Sequence, residues 1–306
     1  MDLRNPVILG ACPLSAHEKS VLRYADAGCG AIVLKTATSA PIIGNPQPWI
    51  VKAGDGILYS SPGLPNPGIT KFVDRVRRIK KCMKDGPPIV GSVAGSTIEE
   101  HCVLATQLEE SGVDAIELDL ACPNVPGKLL GVHWLENLED VAKIVKTTKE
   151  VLSVPLWIKF GLGSPGVTSP LQLTCVAAEA GADSVKLFPI FPCMPINPHT
   201  GKPLLGNIVG SMTGRPLKAV GIKYVADVAR AVELPIIGSG GVSSGIDVIE
   251  YLMAGASATE VVSSLIYEGP KAVKRIVQEI EEFMTEIGYN NLNEITGMSL
   301  KWTKNL

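Results

Sequence analysis

The chain of 306 residues is short of charge and of metal-ligand pairs. Charged residues make up 19% and the formal net charge is -2, which leaves no electrostatic footprint for nucleic acid or a membrane surface. The one basic run, Arg75, Arg77, Arg78, Lys80, Lys81 and Lys84, recurs at helical spacing and reads as a solvated helix face. No apolar run reaches membrane-spanning length, and Pro6-Val7-Ile8-Leu9 is too short for a signal peptide as well. The four histidines, His17, His101, His133 and His199, lack HExxH or other ligand spacing, so no metal site is expected. The seven cysteines are odd in number, scattered and free of CxxC pairs. That argues against a disulfide framework and for a reducing compartment, the cytoplasm. A GxGxxG dinucleotide fingerprint is missing too.

What is present is a large apolar share, 46%, arranged as a repeated strand-then-helix unit. Strands are expected at Val7–Leu9, Ala31–Leu34, Pro88–Val93, Ala115–Leu120, Pro155–Lys159, Ser184–Phe188, Pro235–Gly238 and Thr259–Val262. Short apolar segments of this kind suit parallel strands buried on both faces. Helix starts are signalled by Ser15-x-x-Glu18, Ser96-x-x-Glu99, Ser169-Pro170-x-Gln172 and Ser244-x-x-Asp247. Gly28, Gly112, Gly181 and Gly255 mark helix ends. Eight such units fit a (β/α)8 barrel, with a doubly wound sheet as the alternative. No linker or low-complexity segment divides residues 1–306, so one domain is expected.

Three regions bear on chemistry. Strand residues Ala115–Leu120 run into Cys122-Pro123-Asn124, where proline stops the ladder and leaves a thiol and an amide on a loop at a strand's C-terminal end. In barrels that is the catalytic face. Two long connections, Thr36 to Gly68 and Pro189 to about Arg215, would lie on the same face. The seventh strand runs into Gly238-Ser239-Gly240-Gly241, and the eighth ends at Val262-Ser263-Ser264. Tight turns need glycine anyway, but at this ordinal position the turn reads as a phosphate site, for FMN or a phosphorylated substrate.

Taken together and in order, these residues resemble the class 1 dihydroorotate dehydrogenases, and the catalytic module of dihydropyrimidine dehydrogenase is similar. The likeness spans roughly residues 5 to 270. It rests on Lys35-Thr36-Ala37-Thr38, on Gly44-Asn45-Pro46-Gln47-Pro48 and on Gly63-Leu64-Pro65-Asn66-Pro67-Gly68. It continues through Cys122-Pro-Asn-Val-Pro-Gly-Lys128, nearly identical to the fumarate-using class 1A branch. Lys159, Gly210-Ser-Met-Thr-Gly214-x-Pro-Leu-Lys218, Gly238-Ser-Gly-Gly241 and Glu268-Gly-Pro270 complete the series. The resemblance implies an FMN-dependent barrel enzyme, a cytoplasmic homodimer with a small-molecule substrate and no nucleic-acid or membrane partner. An iron–sulfur or FAD electron-transfer subunit is not indicated. The resemblance assigns FMN contacts to Ala11, Lys35, Lys159, Gly210, Ser211, Gly238, Gly240, Gly241, Ser263 and Ser264, and catalytic roles to Cys122 and Lys35. Substrate contacts fall to Ser60, Gly63, Leu64, Asn66, Asp119, Asn124 and Pro189.

The departures concern the substrate. Of the family's ring-reading asparagines Asn124 remains, while Ser60, Asp119 and the segment Phe188-Pro189-Ile190 stand where the others would be. Each missing hydrogen-bond partner costs on the order of 1–3 kcal/mol, so weak orotate binding is expected. The resemblance makes Cys122 the base that takes a proton from substrate carbon while hydride passes to flavin; the plain reading is a small residue at a strand end. Lys35 and Lys159 would stabilise charge on reduced flavin, although a Schiff-base lysine is a competing use. Asp119 either meets substrate or flavin or bonds loop amides, and Lys218 either holds the cofactor or caps a helix. Trp49, Trp134 and Trp157 read as barrel packing. The function expected is interconversion of a C–C single and double bond beside a carbonyl in a small cyclic substrate, dihydroorotate/orotate being the family's pair. A divergent ene-reductase, a lyase or aldolase, and a non-catalytic flavin-binding subunit are the rivals.

Overall fold

Eight short apolar strands pair in parallel and close on themselves, so that none is left with an open edge. The computed structural model describes residues 1–83, 85–122, 130–163 and 167–302. The barrel strands are β1 (Val7–Leu9), β2 (Ala31–Val33), β5 (Ile89–Val93), β6 (Ala115–Leu120), β7 (Leu156–Leu162), β8 (Ser184–Pro189), β11 (Ile236–Ser239) and β12 (Ala258–Val261). All eight coincide with the expected strands to within a few residues, and the order β1-β12-β11-β8-β7-β6-β5-β2 closes through β1 and β2. The fold is a (β/α)8 barrel, and the doubly wound alternative falls with that closure.

Around it lie α1 (Glu18–Asp26), α2 (Ile69–Cys82), α3 (Ile98–Glu110), α4 (Leu138–Glu150), α5 (Pro170–Glu179), α6 (Lys218–Val228), α7 (Gly245–Met253), α8 (Ser263–Glu268) and α9 (Lys271–Ile287). No helix among the described residues is long and apolar enough to cross a membrane. Ser169 and Ser244 cap α5 and α7 as expected, the latter in a full capping box with Asp247. Two other expected caps are corrected. The Ser15 hydroxyl closes a one-turn 3-10 segment by accepting from Cys12 N, and α1 starts only at Glu18. Thr97 rather than Ser96 caps α3, and Ser96 instead donates to Glu100.

Four further strands, with no counterpart among the expected ones, roof the barrel: β3 (Ile50–Lys52), β4 (Ile57–Ser60), β9 (Phe191–Cys193) and β10 (Gly210–Gly214), in the order β3-β4-β10-β9. They are built from the two long connections, joined by an antiparallel ladder in which Ser60 opposes Ser211. The roof is tied to the barrel where Tyr267 Oη donates to Ile57 O and Lys52 Nζ to Ile266 O.

The barrel interior is layered. At its base Ile8, Ala31, Val33, Val90, Ala115, Trp157, Ile237 and Ala258 form one apolar cluster. Above it the lining turns ionic. Lys186 is fully buried between Glu117 and Glu260, its ammonium hydrogen-bonded to both. Alternation along β6 then places Asp119 on the same inward face as Glu117, one step nearer the mouth.

Candidate active site

Above this ionic layer a cavity of about 1120 Å³, counted out to its mouth, opens under the four-stranded roof. Its walls are the C-terminal ends of the barrel strands and the inner face of the roof. Ala11, Lys35, Ser60, Gly63, Leu64, Asp119, Cys122, Lys159, Ser211, Gly240, Gly241 and Ser263 all line it. Most of the residues singled out in the sequence therefore converge on one space, although they come from widely separated segments.

The remaining residues are placed elsewhere. Asn66 spends its amide inside its own loop, its Oδ1 accepting from Gly68 N at 2.9 Å and its Nδ2 donating to Thr38 Oγ1 and Leu64 O. Pro189 packs against Gly240, and its neighbours Phe188 and Ile190 face the cavity instead. Strand alternation makes that choice, because β8 turns Lys186 and Phe188 inward. Gly238 lies against the ring of Tyr251, where a Cβ would come within 2.4 Å of Cδ1. Gly210 packs on Leu205, and Ser264 donates to Val242 O at 3.0 Å, tying the two turns together. Lys218 pairs with Asp247 and Glu250 on α7, away from the cavity. Trp157 and Trp134 are packing residues, the latter edge-on to His101, while Trp49 Nε1 donates to Asn45 O. Asn124 lies outside the described residues. Phe188, Ile190 and Glu260 were missed as lining residues, and the period-two pattern of their strands was the available signal.

The electrostatics of the walls are set by burial. Lys35 is only 6% exposed and its ammonium meets no hydrogen-bond partner among the described residues. Burial holds its pKa below the ordinary lysine value, against the pull of Cys122 and Asp119. Burial would raise the Asp119 carboxyl, but Lys159, 3.5 Å away, and the Thr36 hydroxyl at 2.7 Å outweigh it and hold the group below the usual range. Burial would lower Lys159, but Asp119 and Glu117 outweigh it and raise the group instead. Burial and then Asp119 push the Cys122 thiol up to about 11, against the two lysines.

The turn after β11 has the chemistry of an anion nest. The N–H groups of Gly240, Gly241 and Val242 donate to no described residue, and Gly240 and Gly241 take φ of 105° and 72°, which glycine alone adopts readily. Three unclaimed donors in a row beside Ser263 suit a phosphate, and an unpartnered ammonium suits an acceptor or anion deeper in. The lining therefore fits a phosphate-bearing group: the Gly240–Val242 turn would hold its phosphate, and Lys35 and Lys159 offer positive charge to the rest of it.

A dihydroorotate dehydrogenase family model matches residues 1–284. The chain belongs to the dihydroorotate dehydrogenase family. The catalytic subunit of the NAD(+)-type dihydroorotate dehydrogenase B of Alkaliphilus oremlandii is 33% identical over 300 residues, covering 97% of this chain and 95% of that one. The fumarate-type dihydroorotate dehydrogenase A of Lactobacillus helveticus is likewise 33% identical over 303 residues, covering 97% and 95%. A catalytic subunit from Methanosarcina mazei reaches 35% over 303 residues, covering 98% and 93%. Branches with different electron acceptors thus match equally well. A solved structure, DHODH from Eimeria tenella in complex with ferulenol, superposes with a TM-score of 0.81 at 22% identity, covering 96% of this chain and 85% of that one. As a member of the family the protein is an oxidoreductase acting on a carbon–carbon bond.

Proposed function

We propose that the cavity binds FMN non-covalently and that the protein interconverts a C–C single and double bond beside a carbonyl in a small ring, with dihydroorotate/orotate as the pair. One observation carries this reading: the thiol of Cys122, the unpartnered ammonium of Lys35 and three unclaimed backbone N–H groups face one cavity. FMN, when bound, supplies the hydride acceptor. The chain's own groups do the rest. Cys122 moves the proton at substrate carbon, Lys35 and Lys159 offset negative charge, and the roof strands exclude water. The purified protein is expected to be yellow or to take up FMN in a titration. Lys159→Ala should bind FMN about tenfold or more weakly, as expected when one charge-assisted hydrogen bond is removed. Colourless protein that takes up no FMN would sink this reading. Cytoplasmic placement is supported by seven free cysteines, and a homodimer by the family resemblance.

The thiol's raised pKa sets a pH dependence. At neutral pH Cys122 is protonated, so it is ready to give a proton to substrate and must lose one before it can accept. Oxidation of the dihydro substrate should therefore speed up about tenfold per pH unit between about 7 and 9, because the thiolate fraction rises in that proportion below the pKa. The reverse reaction should be flat over the same range. Anaerobic stopped-flow traces of flavin absorbance measure both, and a flat profile for oxidation would remove the thiolate from the rate-limiting step.

Asp119, Phe188 and Ile190 favour a second reading, in which the ring has no carboxylate. The ionised Asp119 repels an anionic substrate, and an amide is missing at Ser60. Two absent hydrogen bonds, at about 1.5 kcal/mol each, lower orotate affinity over a hundredfold. Asp119→Asn with Ser60→Asn should recover about tenfold of it in an absorbance titration. Flavin reduction by dihydroorotate favours the first reading, and reduction by dihydrouracil alone favours the second.

A further inference from the structure

We propose that Glu117 is a buried proton store for the cavity, connected to Asp119 through the hydroxyls of Ser92 and Thr36. The four groups form a chain. Glu117 Oε1 lies 2.9 Å from Ser92 Oγ, which lies 3.1 Å from Thr36 Oγ1, which lies 2.7 Å from Asp119 Oδ2. All four residues are at most 2% exposed, and neither hydroxyl has another partner among the described residues.

Counting hydrogens decides the state of the chain. If both carboxyls are ionised, Ser92 must donate to Glu117 and Thr36 to Asp119. The contact between the two hydroxyls then has no hydrogen, and lone pairs face each other in a buried site. One additional proton on either carboxyl fills all three contacts. Charge assigns it to Glu117. Lys186, with no exposed surface, is shared between Glu117 and Glu260, so the triad is neutral only if one carboxyl is protonated. Asp119 has Lys159 as its own counterion at 3.5 Å. The charged groups around Glu117 are Lys186 on β8, Lys159 on β7, Glu260 on β12 and Asp119 on its own strand; burial outweighs the two lysines and raises its pKa. The resting chain therefore runs in one direction: Glu117 donates to Ser92, Ser92 to Thr36 and Thr36 to Asp119.

Delivery moves one hydrogen across each link. The Glu117 proton passes to Ser92 Oγ, the Ser92 hydrogen to Thr36 Oγ1, and the Thr36 hydrogen to Asp119 Oδ2. Three O–H bonds form and three break. Glu117 ends as a carboxylate beside Lys186, and Asp119 ends as a carboxylic acid facing the cavity beside Cys122. Negative charge arriving in the cavity drives the shift, since it disfavours an ionised Asp119. Glu117, Ser92 and Thr36 act through Asp119 and are positioning residues.

The resting proton is independent of the cofactor reading; its delivery on reduction rests on it. Infrared spectra of the protein at pH 7 should show the carbonyl band of a protonated buried carboxyl. Carbon-13 in glutamate carboxyls should shift that band and carbon-13 in aspartate should not, which needs no variant. Glu117→Gln should abolish it and Asp119→Asn should leave it. No band, or a band that follows aspartate label, overturns the proposal. With FMN bound, photoreduction should diminish the band in the unmodified protein and leave it unchanged in Thr36→Val. Equal loss in both overturns the relay. Failure to bind FMN would count against the cofactor reading alone, and the resting band would still decide the store.

Discussion

Cys122→Ala should retain FMN yet reduce it about 10²–10⁴-fold more slowly with the dihydro substrate, the usual contribution of a positioned acid–base group. That loss equals about 2.7–5.5 kcal/mol of barrier. Retention is expected because the donors proposed for the phosphate belong to the turn after β11 and to Ser263, on the other side of the barrel order from β6. Slowing is expected because Cys122 lines the cavity two residues beyond the end of β6, with Asp119, Lys35 and Lys159 acting on its thiol. Stopped-flow reduction under anaerobic conditions, with flavin absorbance as the reporter, separates binding from chemistry. An unchanged reductive half-reaction would take Cys122 out of the mechanism.

Lys186→Met should destabilise the protein by about 3–5 kcal/mol, because the buried Glu117–Glu260 pair, which shares one proton and carries one negative charge, loses its counterion. The loss should depend on pH. Burial already raises Glu117, and losing Lys186 removes the largest influence that lowers it, so the unfolded state gives up that proton first. The penalty should therefore be small near pH 4 and grow as pH rises toward 7. The triple change Lys186→Met, Glu117→Gln, Glu260→Gln should recover most of the stability, since removing all the charges together leaves no ion unpaired. Urea midpoints at two pH values test both statements. A Lys186→Met protein as stable as the parent at pH 7 would mean that the triad is relaxed by water or by neutral carboxyls.

The barrel was legible because each strand is a local object: a short apolar run bounded by Gly or Pro carries its own signal. The site was legible where a residue's position along its strand sufficed, as for Lys35, Lys159 and Cys122. It was misplaced where direction mattered. Phe188, not Pro189, faces the cavity, and the absent Cβ of Gly238 makes room for the Tyr251 ring. Asn66 carried a family motif, yet its amide closes its own loop. The roof was not legible at all. Its strands are only three to five residues long, and although β3 and β4 are neighbours, the ladder that unites the sheet pairs β4 with β10 far along the chain. The ionic layer was half visible: alternation in Ala115–Leu120 put Glu117 and Asp119 on one face, but only barrel closure brings Lys186 and Glu260 to meet them.

Because the roof's central ladder joins Ser60 to Ser211, with β5, β6, β7 and β8 between them in sequence, its formation is expected to follow assembly of those four strands. Closing so long a loop is entropically expensive while the chain is open and inexpensive once the strands hold its ends together. The binding chamber is therefore expected to be completed after the strands that bring its two halves together. During refolding, helical circular dichroism should return ahead of the capacity to bind FMN, and the interval between the two measures the time the chain spends as a closed barrel with no lid.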